Sequence, residues 1–328
     1  MPNLQSLGEF GLIERVRRRL PPSSGWEVGI GDDTAVFRLS SHHYQLFTED
    51  LLVEGVHFRR GSLTDWRNLG WKSLTVNLSD LAAMGGRPLG AVIGLAIPKK
   101  TRTSEIDAFY RGLAEAARRF RCPIVGGDTN ASPAGVTIAV AVLGESRHKP
   151  LLRSDARPGD TLWVSGELGA AALGWEAIQK RVGGAAMPFR RRHARPEPRL
   201  EWGEKLARSG MVSAALDLSD GLAGDLVHLA CASGVGFEVD VDQVPRSRAF
   251  GRLCQKMKIE EERLLLAGGE DYELLFTVRR GAERRFQEYC RRHRLKVTRI
   301  GQAKKSQKLV WHRSGKKLSR VWEGYRHF

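Results

Sequence analysis

Cysteine is scarce in this chain, and none of it is paired by spacing. The four cysteines (Cys122, Cys231, Cys254, Cys290) stand far apart with no Cys-x-x-Cys, which excludes a zinc knuckle and a disulfide framework and leaves them as buried apolar fillers. No window approaches the roughly eighteen uncharged apolar residues of a membrane span. The N-terminus passes from Met1-Pro2-Asn3-Leu4 into a charged amphipathic stretch, Glu9 to Leu20, without the apolar run of a secretory signal. The expected compartment is therefore the cytoplasm, with no membrane partner. Gly-x-x-x-x-Gly-Lys-Ser/Thr, the His-Arg-Asp kinase signature and Gly-x-Ser-x-Gly are all absent, which excludes a P-loop, a protein-kinase catalytic loop and a hydrolase elbow.

What is present is enough for a large fold. A chain of 328 residues, 41% hydrophobic, buries a sizeable core, and its length suggests two domains. The net charge of +16 is unevenly placed: from Arg279 to Phe328 seventeen Lys or Arg face three Glu. Such a segment is a solvated face, a means of concentrating anionic substrates, or a nucleic-acid surface. No RNP, helix-turn-helix or KH signature accompanies it, so nucleic acid is not the expected partner.

Strand-like runs alternate with helical patterns, as in a layered α/β or α+β fold. Residues 44–48, 90–97, 123–125 and 136–144 read as strands, and 65–84 and 104–120 as helices. Gly85-Gly86-Arg87-Pro88 stops the first helix. The residues around 147–160 mark a linker and turn, dividing the chain into 1–146 and 147–328. Beyond it we read a strand at 161–165, a helix at 170–180, an exposed basic loop at 183–195, and a helix at 196–209 opened by its proline. There follow a helix to about Ala232, a strand at 237–241, a helix at 246–257, a strand at 272–278, and a final helix and strand.

Against this background stand five acidic motifs: Gly31-Asp32-Asp33, Thr48-Glu49-Asp50, Asn77-Leu78-Ser79-Asp80, Gly126-Gly127-Asp128-Thr129 and Asp217-Leu218-Ser219-Asp220. Each follows an apolar run or borders a helix, where an α/β fold gathers side chains. Ser and Asp are also ordinary helix N-caps, so each motif alone has a second reading. Converging carboxylates repel one another unless cations hold them, and Mg²⁺ with phosphate oxygens answers that need. Because Mg²⁺ takes only one or two carboxylates, the set implies several ions and several phosphates. Phosphoryl transfer asks for such a centre and little covalent work from the protein. His57, in an apolar, glycine-punctuated segment beside one motif, has both a structural and a catalytic reading.

These motifs, with Asp50-Leu51-Leu52-Val53-Glu54-Gly55-Val56-His57-Phe58, Gly268-Gly269-Glu270-Asp271-Tyr272-Glu273-Leu274 and the closing Trp322-Glu323-Gly324-Tyr325-Arg326-His327-Phe328, resemble the thiamine-monophosphate kinase family over the whole chain. The resemblance implies ATP-dependent phosphorylation of thiamine phosphate to thiamine diphosphate. It implies a two-domain fold shared with aminoimidazole ribonucleotide synthetase, the N-terminal domain binding ATP and Mg²⁺ and pairing in a homodimer, the C-terminal domain completing the site. It places Mg²⁺ on Asp33, Thr48, Asp50, Asp80, Asp128, Asp217 and Asp220, with K⁺ as a further candidate ion. It places the nucleotide on Gly127, Asp128, Arg153, Ser219 and Tyr110, and thiamine phosphate on His57, Glu270 and Tyr325. Glu49 departs from the pattern, standing where the family has a hydroxyl residue that reaches a metal: its carboxylate either ligates or turns away. Related selenophosphate and hydrogenase-maturation enzymes need an N-terminal or a C-terminal cysteine, and this chain has neither.

Overall fold

The three- and four-residue spacing of apolar residues between 65 and 84 folds as one buried helix, and two sheets are arranged about it. The computed structural model describes residues 4–21, 24–59, 65–319 and 322–325. Met1-Pro2-Asn3 and the Arg326-His327-Phe328 end of the closing motif lie outside the described residues.

The first unit runs α1 (Leu4–Arg17), β1 (Trp26–Val28), β2 (Ala35–Ser40), β3 (His43–Val53), α2 (Trp66–Ala83), β4 (Arg87–Pro98), α3 (Thr103–Phe120), β5 (Ile124–Ser132) and β6 (Thr137–Ser146). Its sheet has the order β1-β2-β3-β6-β4-β5, antiparallel except for the β4–β5 pair. The second runs β7 (Thr161–Ser165), α4 (Ala170–Gln179), α5 (Met187–Ala194), α6 (Leu200–Ser209), β8 (Val212–Asp217), α7 (Leu222–Ser233), β9 (Gly236–Asp240), α8 (Arg248–Met257), α9 (Glu261–Ala267), β10 (Leu274–Val278), α10 (Glu283–His293), β11 (Val297–Lys304), β12 (Leu309–Arg313) and β13 (Lys316–Lys317). Its sheet has the order β13-β12-β9-β11-β7-β10-β8. The architecture is mixed α/β in two layered units, as expected.

Fourteen of the eighteen residues of α2 are buried, so the helix has no solvent stripe and acts as a core element between the units. Its start is fixed by Asp65, which accepts the N–H of Arg67 at 2.9 Å. Polar residues inside it bond back to the helix: Thr75 donates to the carbonyl of Trp71 at 3.1 Å, and the Asn77 amide to that of Ser73 at 3.2 Å. Glycine permits its close packing. A Cβ on Gly70 would stand 1.9 Å from the Phe109 carbonyl oxygen, and one on Gly203 1.9 Å from that of Ala82. Thus α3 packs on one side of α2 and α6 on another, while its C-terminal half leans on β3, β6 and β8.

Several expectations are corrected. The stretch 183–195 is not a loop: it holds α5, with Pro188 in the first turn and Phe189 buried against Phe250. One buried phenylalanine anchors an otherwise basic helix, a pattern too thin for periodicity to reveal. Pro196 does not open a helix, because Pro198 follows it and α6 starts at Leu200. The short α9 was not foreseen, nor were β12 and β13 after the final expected strand. β5 runs on to Ser132, carrying the Gly-Gly-Asp-Thr motif inside a strand.

Candidate active site

Strand β3 alternates. Thr48 is buried and Asp50 half-buried on its inner face, while Phe47, Glu49 and Leu51 are exposed. On the inner face Thr48 donates its hydroxyl to Asp80 Oδ2 at 2.6 Å, and the Asp50 N–H donates to Asn77 Oδ1 at 3.0 Å. The end of β8 brings Asp217, and the loop before β2 brings Asp33. One carboxylate oxygen each of Asp33, Asp80 and Asp217 lies within 4.8 Å of the others.

Burial and the charge of Asp33 push Asp50 up to about 6 and Asp217 to about 7. Burial and then Asp50 carry Asp80 well above the usual carboxylate range. These are acids whose charges have too little compensation from the protein. Among the described residues Arg153 opposes Asp33 and Asp217: its guanidinium is paired with Asp33, and its backbone N–H donates to Asp32 Oδ2 at 3.2 Å. The second oxygen of Asp33 is buried and has no hydrogen-bond partner among the described residues. An oxygen-only donor set with an unsatisfied buried oxygen fits a hard divalent cation such as Mg²⁺.

Asp220 begins a second acidic group. An oxygen of Asp220, an oxygen of Asp225 and a ring nitrogen of His228 lie within 4.8 Å of one another, and the Asp220 N–H donates to Asp225 Oδ2 at 3.1 Å. Burial, with Arg153 nearby, pulls His228 down to about 4. Ser219 and Glu270 come together through the Glu270 N–H, which donates to the Ser219 carbonyl at 2.8 Å. Glu270 and Tyr272 both take left-handed backbone angles, at φ 67° and 50°. Such angles persist only where the surroundings dictate them.

A cavity of about 420 Å³ opens between α2, α4 and α5, lined among others by His57, Phe58, Lys72, Trp175, Arg190 and His193. Nδ1 of His57 accepts the Val53 N–H at 3.0 Å, so in the neutral ring Nε2 carries the proton. Glu270 adjoins this cavity through Lys72 and His193. Tyr325 is half exposed and donates its N–H to the Asp220 carbonyl at 3.1 Å.

Four expected residues stand apart within the chain. Asp128 lies on edge strand β5, in the row Leu51, Ala139, Gly94, Asp128 across the sheet. Three strand spacings put it roughly 14 Å from β3, and it accepts the Thr129 N–H at 2.9 Å and the Asn130 amide at 2.7 Å. Gly127 beside it has no room for a side chain, since a Cβ would meet the Ile93 carbonyl oxygen at 2.1 Å. Tyr110 is exposed on α3, edge-on to Phe109. Glu49 stands on the outer face of β3, turned from Thr48 and Asp50.

Five residues of the site lie outside the sequence-based expectations: Asn77 in its role of holding Asp50, Asp225, Lys72, His193 and Trp175. A lone lysine within an apolar helical run was a usable signal for Lys72. His193 and Trp175 meet only through tertiary packing, their rings 5.2 Å apart.

Residues 31–146 match the AIR synthase related protein, N-terminal domain, and 157–312 the AIR synthase related protein, C-terminal domain. The chain is 34% identical to the thiamine-monophosphate kinase of Bacillus subtilis, over 98% of this chain and 100% of that one. It is 37% identical to that of Salmonella typhimurium, over 98% of each. The solved structure "AaThiL complexed with AMPPCP and TMP" superposes with a TM-score of 0.87 at 34% identity, covering 100% of this chain and 99% of that one.

Proposed function

The chain belongs to the thiamine-monophosphate kinase family of AIR synthase related proteins, and from that premise we propose how its residues carry the reaction. It is an ATP-dependent kinase that converts thiamine phosphate to thiamine diphosphate, a phosphotransferase with a phosphate group as acceptor. The observation that carries the mechanistic reading is the convergence of Asp33, Asp80 and Asp217, with Asp50 tied beside them by Asn77.

The γ-phosphoryl group passes from ATP straight to the acceptor phosphate, in line and with no phosphoenzyme. A phosphate monoester has its second pKa near about 6, so the attacking oxygen is already deprotonated at neutral pH and no general base is required. Mg²⁺ ions held by Asp33, Thr48, Asp50, Asp80, Asp217 and Asp220 would offset the charge on the transferring group, with Asp128 on edge strand β5 as an outlying candidate ligand. K⁺ is a further candidate ion. Asn77 and Thr48 fix the carboxylates so that little reorganisation is needed as charge develops. Arg153, Ser219, Gly127 and Tyr110 serve the nucleotide; His57, Glu270 and Tyr325 serve the acceptor.

Helix α2 sets the length of the acceptor site. Lys72 lies eight residues before Asp80, about 12 Å along the axis, so the cavity takes the ring end of a molecule whose phosphate reaches the carboxylates. The N-terminal unit, to residue 146, carries most of the acidic motifs and the dimer face, and 147–328 complete the site. The outer face of the first sheet presents Phe47, Leu51, Leu89, Val92, Val125 and Leu143 to solvent. An apolar face of this kind, interrupted by Glu49 between Phe47 and Leu51, marks an interface, and we assign it to a homodimer. The cytoplasm is the compartment we assign.

ATP with a chiral γ-phosphorus tests the mechanism. Inversion in the thiamine diphosphate formed is expected, whereas retention, or a trapped phosphorylated side chain, would overturn direct transfer.

A further inference from the structure

One wall of the acceptor cavity contains a buried cation that none of these roles uses. Lys72 is 6% exposed, in the middle of α2, and its ammonium lies 2.5 Å from Glu270 Oε1. The other oxygen, Oε2, is 2.8 Å from His193 Nδ1, and the His193 ring leans on Trp175 at 5.2 Å. Lys72, His193 and Trp175 all line the cavity. Arg190, Arg191 and Arg195 line it too. Arg195 is paired with Glu115, whereas neither Arg190 nor Arg191 has an ion pair among the described residues.

A carboxylate at this place has a choice of cations. Left without Lys72, Glu270 would keep His193 alone and would be drawn toward Arg191 and toward Arg190, whose guanidinium otherwise meets only the Val182 carbonyl at 3.4 Å among the described residues, crossing the space that the acceptor rings need. Its backbone is already held in a left-handed conformation by the Ser219 carbonyl, so the side chain is the remaining freedom. Lys72 comes from a different and more deeply buried element, and it removes that freedom. A buried ion pair of this sort contributes little net stability against an apolar pair but specifies one arrangement.

We infer that Lys72 is a positioning residue for the acceptor: it holds Glu270 against the α2 wall of the cavity and away from Arg190 and Arg191, so that the ring end of thiamine phosphate enters a preformed site. The inference rests on the kinase reading above. It is specific to the acceptor, because among the described residues Lys72 pairs with Glu270 and touches neither the carboxylate centre nor Arg153.

The test compares wild type, Lys72→Gln, Lys72→Arg, Glu270→Gln and the Lys72→Gln/Glu270→Gln double variant, with each substrate varied at saturation of the other. Lys72→Gln is expected to raise KM for thiamine phosphate roughly tenfold or more, with KM for ATP held within about twofold. Lys72→Arg, which keeps the charge, should recover part of the loss. The double variant should be no worse than the poorer single one, because both act through one contact. Unchanged KM for thiamine phosphate in Lys72→Gln, equal rises for both substrates, or additive losses in the double variant would overturn the inference while an active wild type upholds the kinase. Wild type without activity on thiamine phosphate would overturn both. Should Lys72→Gln not fold, Lys72→Met, which keeps the side-chain length without the charge, takes its place: an acceptor-specific rise in KM supports the role, and no rise opposes it.

Discussion

Thr48 on β3 donates its hydroxyl to Asp80 on α2 across 2.6 Å, joining the first sheet to the central helix where the carboxylates meet. The bond gives one Asp80 oxygen a fixed direction before any ligand arrives. Residues that orient metal-binding side chains typically change metal affinity by about 10–100-fold when lost. Thr48→Val is therefore expected to raise the Mg²⁺ concentration for half-maximal rate by about tenfold, with the rate largely regained at high Mg²⁺. A titration of rate against Mg²⁺ checks this, and an unshifted midpoint would contradict it.

The metal-free fold should lose stability as pH rises toward neutrality. In the unfolded chain an aspartate ionises near about 4, whereas in the fold burial and Asp33 keep Asp217 protonated up to about 7. Between those values the folded state binds the extra proton, so the stability that proton gives is complete below about 4 and gone above about 7. Melting temperature in chelator should fall across this window more steeply for wild type than for Asp217→Asn, which has no charge to bury. At pH 8 the variant should be the more stable, by on the order of 1 kcal/mol or more, and inactive. Parallel pH profiles for the two proteins would refute the reading.

The apolar outer face of the first sheet makes a separate prediction. Phe47 pairs in register with Leu143, and Leu51 with Ala139, on that face. Phe47→Asp puts a charge in the middle of the assigned interface, where an unpaired buried charge is costly. Light scattering coupled to size-exclusion chromatography should find wild type as a dimer and the variant as a monomer of retained helix and strand content. A monomeric wild type would remove the interface.

Much of this centre was legible in the sequence because its parts sit at ends of regular elements. Asp217 closes β8, Thr48 and Asp50 share one face of β3, and Asn77 and Asp80 lie one helical turn apart on α2. Period and motif order suffice for such residues. The acceptor cavity was less legible, since its wall is assembled from α2, α4 and α5, and α5 is a helix whose eight residues hold four that are basic or histidine and one buried phenylalanine. Trp175 and His193 carry no local mark of belonging together, and Glu270 gains its partners only when the chain closes over nearly two hundred residues to Lys72. Glu49 was resolved by alternation alone: β3 turns it outward as surely as it turns Asp50 in. Asp128 keeps its motif but stands on the far edge strand, a separation that local pattern does not encode.

The central claim is that these carboxylates serve phosphoryl transfer to thiamine phosphate. ADP release by the purified full chain, followed with and without thiamine phosphate over a range of Mg²⁺, tests it most directly. The expected result is release that depends on thiamine phosphate, rises more steeply than first order in Mg²⁺, and disappears in Asp80→Asn. Release indifferent to thiamine phosphate, or undiminished by chelator, would contradict the account.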